Sequence, residues 1–306
     1  MKKFISFSAL LFLIIIGFSS KAQIVFTKEY GGVGNEDGRW IEQLADSGFI
    51  MIGRSDTYSN GQSDMWVVRT DASGNVMWTK SYGGTQFDFG NMIRKTSDGG
   101  FIMAGFTNTY GVGGNDAWLV KTDGLGNIQW QKTFGNSYDQ EFEAVVQTSD
   151  GGYAAIGITN QPGGATPADI YLVRVAANGD SIFSKNIGGG SGEIGNSIQQ
   201  TPDGGFILAG QSYSYGNIDG DFYAVKTDGN GIVQWFKNYS NAGLQECHYI
   251  QNVPGGGFIM VGDADSLSNG LGDTDVWLIR TDDNGDTLWT KTIGGSKKDG
   301  GKTVEN

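Results

Sequence analysis

The chain is short of the residues that staple, kink or switch a protein: of 306 residues, one is cysteine (Cys247), one is histidine (His248) and four are proline. A single thiol excludes an internal disulfide, so stability has to come from burial and hydrogen bonding. A single histidine excludes a multi-histidine zinc site. Basic residues are scarce as well, 21 Lys and Arg against 33 Asp and Glu, for a net charge of −12. Such a surface repels phosphate backbones, and no basic stripe with interleaved aromatics occurs, so nucleic acid is not an expected partner. Outside the first 22 residues no useful stretch keeps the 3.6-residue period of a helix.

Those first 22 residues read as a Sec-type signal peptide. Lys2 and Lys3 open it, Ala9 to Ile16 is apolar, and Ser20-Lys21-Ala22 supplies small residues at the −3 and −1 positions of a cleavage site. The apolar run is short for a bilayer, so a retained membrane anchor is the weaker reading. No cysteine follows to carry a lipid. The mature chain is expected to begin at Gln23, secreted, on the cell surface or in the periplasm. Losing Lys2, Lys3 and Lys21 takes the charge from −12 to −15.

What the chain has in abundance is glycine, 51 residues, with regularly placed aromatics. The regularity is a repeat. Tyr30-Gly31-Gly32 recurs as Tyr82-Gly83-Gly84, Phe134-Gly135-Asn136, Ile187-Gly188-Gly189, Tyr239-Ser240-Asn241 and Ile293-Gly294-Gly295, at spacings of 52, 52, 53, 52 and 54. Two further markers keep step: Asp64, Asp116, Asp169, Asp221 and Asp275, and Trp78, Trp130, Phe183, Trp235 and Trp289. Each copy carries four strand signals. In the second, strand a is 91–96, b is 101–105, c is 117–122 and d is 128–134, separated by Asp-Gly and Gly-Asn tips that supply tight hairpin turns. Strands b and c are apolar at adjacent positions, so both faces should be buried. The expectation is an all-β fold, a β-propeller of four-stranded antiparallel blades, with blades at about 33–82, 85–134, 137–187, 190–239 and 242–293 and a partial copy at 294–306. An unpaired strand d (24–30) precedes the first blade, and the last residues match the start of a strand a. Either the chain is a fragment of a larger propeller, the favoured reading, or five blades close with spare ends.

The segments Thr96 to Gly105, Thr148 to Gly157 and Thr201 to Gly210 (T-x-D-G-G-F/Y-I-x-A-G) resemble delta-60-type repeats of secreted bacterial propellers. The Gly-x-x-x-Trp elements Gly74 to Trp78, Gly126 to Trp130 and Gly231 to Trp235 are similar to the tryptophan-docking motif of quinoprotein-like (PQQ-like) propellers. That resemblance implies an indole packed between blades. It covers 24–306 and speaks to architecture rather than activity.

A unique site should break the repeat, and most charged residues obey it. Arg69, Lys121, Arg174, Lys226 and Arg280 share one strand c position; Lys28, Lys80, Lys132, Lys185, Lys237 and Lys291 share one in strand d. Both sets read as structural. Cys247-His248 looks like a nucleophile and base, but neighbours on a strand point apart. Arg39, Trp40, Arg54 and Arg94 are irregular and stand as candidate ligand contacts. Glu36, Asp88, Gln140, Glu193, Gln245 and Asp299 each lie five residues before an apolar residue of strand a, where Glu36, Asp88, Glu193 and Asp299 are candidate cation (calcium) ligands around a channel mouth or, more simply, turn caps. Asp282, Asn284 and Asp286 alternate like calcium ligands but lack the glycine and glutamate of an EF-hand loop. No cofactor is implied.

The sequence therefore points to an exported, non-catalytic binding or scaffold propeller. Its ligand would be an extracellular glycan or protein held at the variable b–c loops (58–63, 161–168, 266–274) or at the channel. The alternatives are a glycan-active hydrolase or lyase, which needs a non-repeated acid pair or Arg/Tyr/Glu cluster, and a spacer in a larger surface protein.

Overall fold

A computed structural model of the chain describes residues 26–160, 168–216, 219–240, 243–265 and 274–304. The signal segment and most of the second and third variable loops lie outside the described residues. Twenty strands form five antiparallel sheets of four, each in simple meander order. The first blade is β1 (Glu36–Gln43), β2 (Phe49–Ser55), β3 (Asp64–Thr70) and β4 (Val76–Tyr82). The second is β5 (Asp88–Lys95), β6 (Phe101–Thr107), β7 (Asp116–Thr122) and β8 (Ile128–Phe134). The third is β9 (Gln140–Gln147), β10 (Tyr153–Thr159), β11 (Asp169–Val175) and β12 (Ser181–Ile187). The fourth is β13 (Glu193–Gln200), β14 (Phe206–Ser212), β15 (Asp221–Thr227) and β16 (Val233–Tyr239). The fifth is β17 (Gln245–Asn252), β18 (Phe258–Asp265), β19 (Thr274–Thr281) and β20 (Thr287–Ile293). Among the described residues no helix is long and apolar enough to cross a membrane.

The fold is the all-β propeller of four-stranded blades that the repeat predicts. Its core lies between blades rather than within one. Four hydrophobic clusters fill the four consecutive interfaces. Strand β14 shows why its sequence does not alternate: Phe206 and Leu208 pack toward the third blade, Ile207 and Ala209 toward the fifth, and all four are buried. Apolar area on both faces leaves the water only when neighbouring sheets stack.

The glycine and tryptophan of each Gly-x-x-x-Trp element serve different interfaces. A side chain on Gly126 would come within 3.1 Å of the Trp78 indole from the blade before, and one on Gly285 within 2.8 Å of Trp235. The Tyr82 hydroxyl donates to Gly126 O (2.8 Å), as Tyr239 does to Gly285 O (2.7 Å). Tyr82→Phe leaves that carbonyl without its buried donor. The variant is expected to lose about 1–2 kcal/mol, read as a lower urea midpoint with unchanged slope.

The repeated charges find repeated partners. Lys121 and Lys226, buried in strand c, each reach the aspartate of their own a–b turn at 2.8 Å, and Arg69 and Arg174 do so at 2.5 Å. Bonds from these lysines hold the Asp98 and Asp203 carboxyls down to about 2. Residues 26–30 lie against the first blade as a preceding outer strand would, with Tyr30 donating to Gly74 O (2.8 Å). After the last strand, Asp299 N donates to Thr274 O (2.8 Å), as Gln140 N does to Asn115 O (2.7 Å) at the start of β9. Both flanking segments are thus engaged by the blade beside them.

Candidate functional site

Strands β1, β5, β9, β13 and β17 are the innermost of their blades and surround a channel. Each pairs with its second strand through a bulge at the same place, where one residue is skipped in the register. The skipped residues are Arg39, Asn91, Glu143, Asn196 and His248. A glycine faces every bulge: a side chain on Gly53, Gly105, Gly157, Gly210 or Gly262 would sit 1.8–1.9 Å from a carbonyl oxygen of the inner strand. This close approach accounts for the last glycine of T-x-D-G-G-F-I-x-A-G. A bulge redirects the side chain it carries. Here five chemically different side chains are redirected on one repeated frame.

Asn91 and Asn196 spend their amides on the next blade, donating to Phe142 O (3.0 Å) and Cys247 O (2.8 Å). The other three do not follow this pattern. Arg39 pairs with Asp37 at 3.0 Å and lies 5.0 Å from the Phe89 ring, over which Arg54 also sits at 5.3 Å. The Arg54 Nε is buried with no hydrogen-bond partner. His248 stands between Asp263 (3.0 Å) and Glu246 (3.5 Å), with the Lys302 ammonium 2.7 Å away. Glu143 is reached by solvent from the channel yet enclosed on most sides. Burial pushes its carboxyl up to about 7, Glu141 and Glu246 push the same way, and Arg39 opposes them. Burial also raises Glu141, whose carboxylate accepts from Asn115 Nδ2 at 2.5 Å.

The irregular residues therefore divide. Arg39 acts on Glu143, and Arg54 shares the Phe89 ring with Arg39. Arg94 lies three residues beyond the bulge position of its strand, and Trp40 directly follows Arg39. Arg94 lies 4.6 Å over the Trp40 ring and donates to Tyr249 Oη (3.0 Å), while Trp40 and Tyr249 pack at 5.9 Å. A cavity of about 430 Å³ opens beside them, lined from β5, β9, β13 and β17. Cys247 points the opposite way from His248, fully buried, with its thiol raised by burial.

The strand a carboxylates lie under their own turns. Glu36, Asp88, Glu193 and Asp299 accept from the amides of Gly32 (3.2 Å), Gly84, Gly189 and Gly295 (2.8 Å each), and Gln140 caps Asn136 N in the same way. Asp88 and Glu193 are fully buried. Among the described residues no group of three or more His, Cys, Asp or Glu is arranged to hold a metal ion. Asp282 closes its hairpin tip by accepting from Asn284 N and Asp286 N, both at 2.9 Å.

Phe89, Glu141 and Glu246 belong to the site and had not been singled out. They share the second position of strand a with Asp37 and Ile194, a position whose residue type changes from copy to copy beside the repeated Glu36, Asp88, Gln140, Glu193 and Gln245.

No family model matches the chain, and no curated relative matches it by sequence. Solved structures do resemble it, and they are propellers. A puromycin hydrolase is 11% identical over 82% of this chain and 38% of its own length, with a TM-score of 0.51. Sqt1 from Chaetomium thermophilum is 12% identical, covering 85% of this chain and 62% of that one, at 0.48. An endo-arabinase from Bacteroides thetaiotaomicron is 13% identical, covering 87% and 96%, at 0.42. At these identities the likeness is one of fold.

Proposed function

We propose that the protein is an exported, non-catalytic binding propeller whose channel receives a group carrying positive charge from an extracellular protein or glycan. The observation that carries the reading is the bulge at Glu143, on the inner strand of blade three, where charges from blades one and five act on it. Glu141 and Glu246 both raise Glu143, with Arg39 the cation opposing them there. An ammonium or guanidinium entering there would restore the balance, in an acidic molecule that attracts cations from a distance. The tryptophan docking seen between blades supports placing the repeat with delta-60-type and quinoprotein-like propellers.

A hydrolase reading draws on one feature, a glutamic acid poised near neutrality. Against it, the neighbouring carboxylates are engaged: Glu141 by Asn115, Asp37 by Arg39 and Asp263 by His248.

The two readings separate on a peptide and glycan array probed with the mature chain and followed by a turnover assay on every hit. Amine- or guanidine-bearing members should be retained without turnover. Because Glu143 must ionise to meet the cation, their binding should tighten about tenfold between pH 6 and pH 8. Glu143→Gln should flatten that dependence. Retention of neutral members alone, or cleavage that disappears in Glu143→Gln, would overturn the proposal.

A further inference from the structure

In the second and third blades the a–b turn is tied to the following blade by one bond. Ser97 N donates to Gln147 Oε1, and Ser149 N to Gln200 Oε1, both at 2.8 Å. The fourth blade has Pro202 at this position, which carries no N–H. The fifth blade answers with Asn252, one methylene shorter than glutamine and donating to Gln200 O at 2.9 Å. The next turn departs too. Val253-Pro254-Gly255 stands where the first copy has Leu-Ala-Asp and the next three have Thr-x-Asp, so the aspartate of that turn is gone. Arg280, whose counterparts are ion-paired to that aspartate, donates instead to Gly256 O at 2.6 Å.

These departures coincide at one place, and a cavity of about 770 Å³ opens there between blades four and five. The matching cleft between blades one and two, beside Asp46, Arg69 and Phe101, measures about 250 Å³. The larger one is walled by half-buried Trp235 and by Phe258, whose rings pack at 6.1 Å. Polar groups rim it: the Lys226–Asp203 pair at 2.8 Å, Gln234 and Asn284.

We infer that this cleft is a binding site for a neutral saccharide, separate from the channel. An aromatic wall with a few fixed polar groups in a volume of this size is the usual form of a small-molecule site. The C–H face of a pyranose carries partial positive charge and complements the negative face of an indole. Sugar hydroxyls need donors and acceptors side by side, which Lys226, Asp203 and the two amides provide. Lys226 is paired with Asp203, and the remaining carboxylate of the lining, Asp283, accepts from Gly257 N at 2.5 Å, so the cleft offers no unpaired cation to an anionic ligand and its charges are already engaged, which favours a neutral one.

The test uses the mature chain and a panel of neutral disaccharides of gluco, galacto, manno and xylo configuration, followed by saturation-transfer NMR and calorimetry. At least one is expected to bind, with affinity falling tenfold or more in Trp235→Ala. Because Trp235 also docks on Gly285, a second variant carries the argument: Pro202→Ser with Asn252→Gln rebuilds the tether of the earlier blades and narrows the cleft without touching the indole. This double variant should unfold at a higher temperature than the parent and lose saccharide binding tenfold or more, while Glu143→Gln binds as the parent does. Failure of the whole panel to bind, or binding that survives in the double variant, overturns the inference.

Discussion

Gly157→Ala is expected to lower stability by about 3 kcal/mol or more, a fall in melting temperature of roughly 6–12 °C for a domain of this size. The added methyl would lie 1.9 Å from Glu141 O and 2.8 Å from both Glu141 C and Phe142 Cα, all backbone atoms of β9. No rotamer change relieves a clash with backbone, so the bulge has to open and β9 has to shift against β10. The displaced segment carries Glu141 and Glu143, so the channel ligand should be lost together with stability. Gly38→Ala is the control. It sits beside the Arg39 bulge, where an added methyl meets nothing within 4 Å, and should stay within about 0.5 kcal/mol of the parent. Differential scanning calorimetry on the two variants decides the matter. Equal and small effects would mean that the inner strands are not bulged against these glycines.

The same glycines show how far the sequence could be read. Position Gly157 was visible as the end of a recurring motif, but a motif reports that a glycine is needed and not what lies against it. The strands, their order and the stacking of blades were legible because each follows from a local signal: turn residues, aromatic markers and apolar pairs repeated about every 52 residues. The bulge was not, since it adds a residue to one strand without altering the apolar pattern of its partner. Missing it hid what unites Arg39, Glu143 and His248, which share one repeat position and differ in chemistry. Arg94 looked equivalent to Arg39 by its irregularity, yet it falls three residues along the strand and faces Trp40 and Tyr249 instead. The strand a carboxylates show the converse. Their spacing marks one shared position, but spacing cannot distinguish a channel-facing ring from caps on separate turns, and the amides of Gly32, Gly84, Gly189 and Gly295 supply their hydrogen bonds.

The second large effect is a dependence of stability on pH that should rest on Glu143. Burial and the charges of Glu141 and Glu246 raise its carboxyl from an ordinary 4.5 to about 7, with Arg39 opposing. The folded chain therefore keeps a proton that the unfolded chain has already released between those values. Stability must then fall as pH rises through this window: the contribution is complete below about 4.5 and gone once pH has passed 7. A shift of this size corresponds to at most about 3 kcal/mol, less whatever solvent in the channel screens. The aspartates held down near 2, Asp98 and Asp203, act with the opposite sign and only in acid, so they leave the window from pH 5 to pH 8 clear. Glu141, raised in the same direction, adds to the slope without reversing it. Urea unfolding of the parent should thus show stability declining by about 2–3 kcal/mol from pH 5 to pH 8, with most of the decline removed in Glu143→Gln, whose amide stays neutral throughout. The variant should match the parent at pH 5 and exceed it at pH 8. Parallel curves for the two proteins would place Glu143 in open water, away from the other carboxylates, and the channel would lose the charge imbalance that makes a cation welcome there.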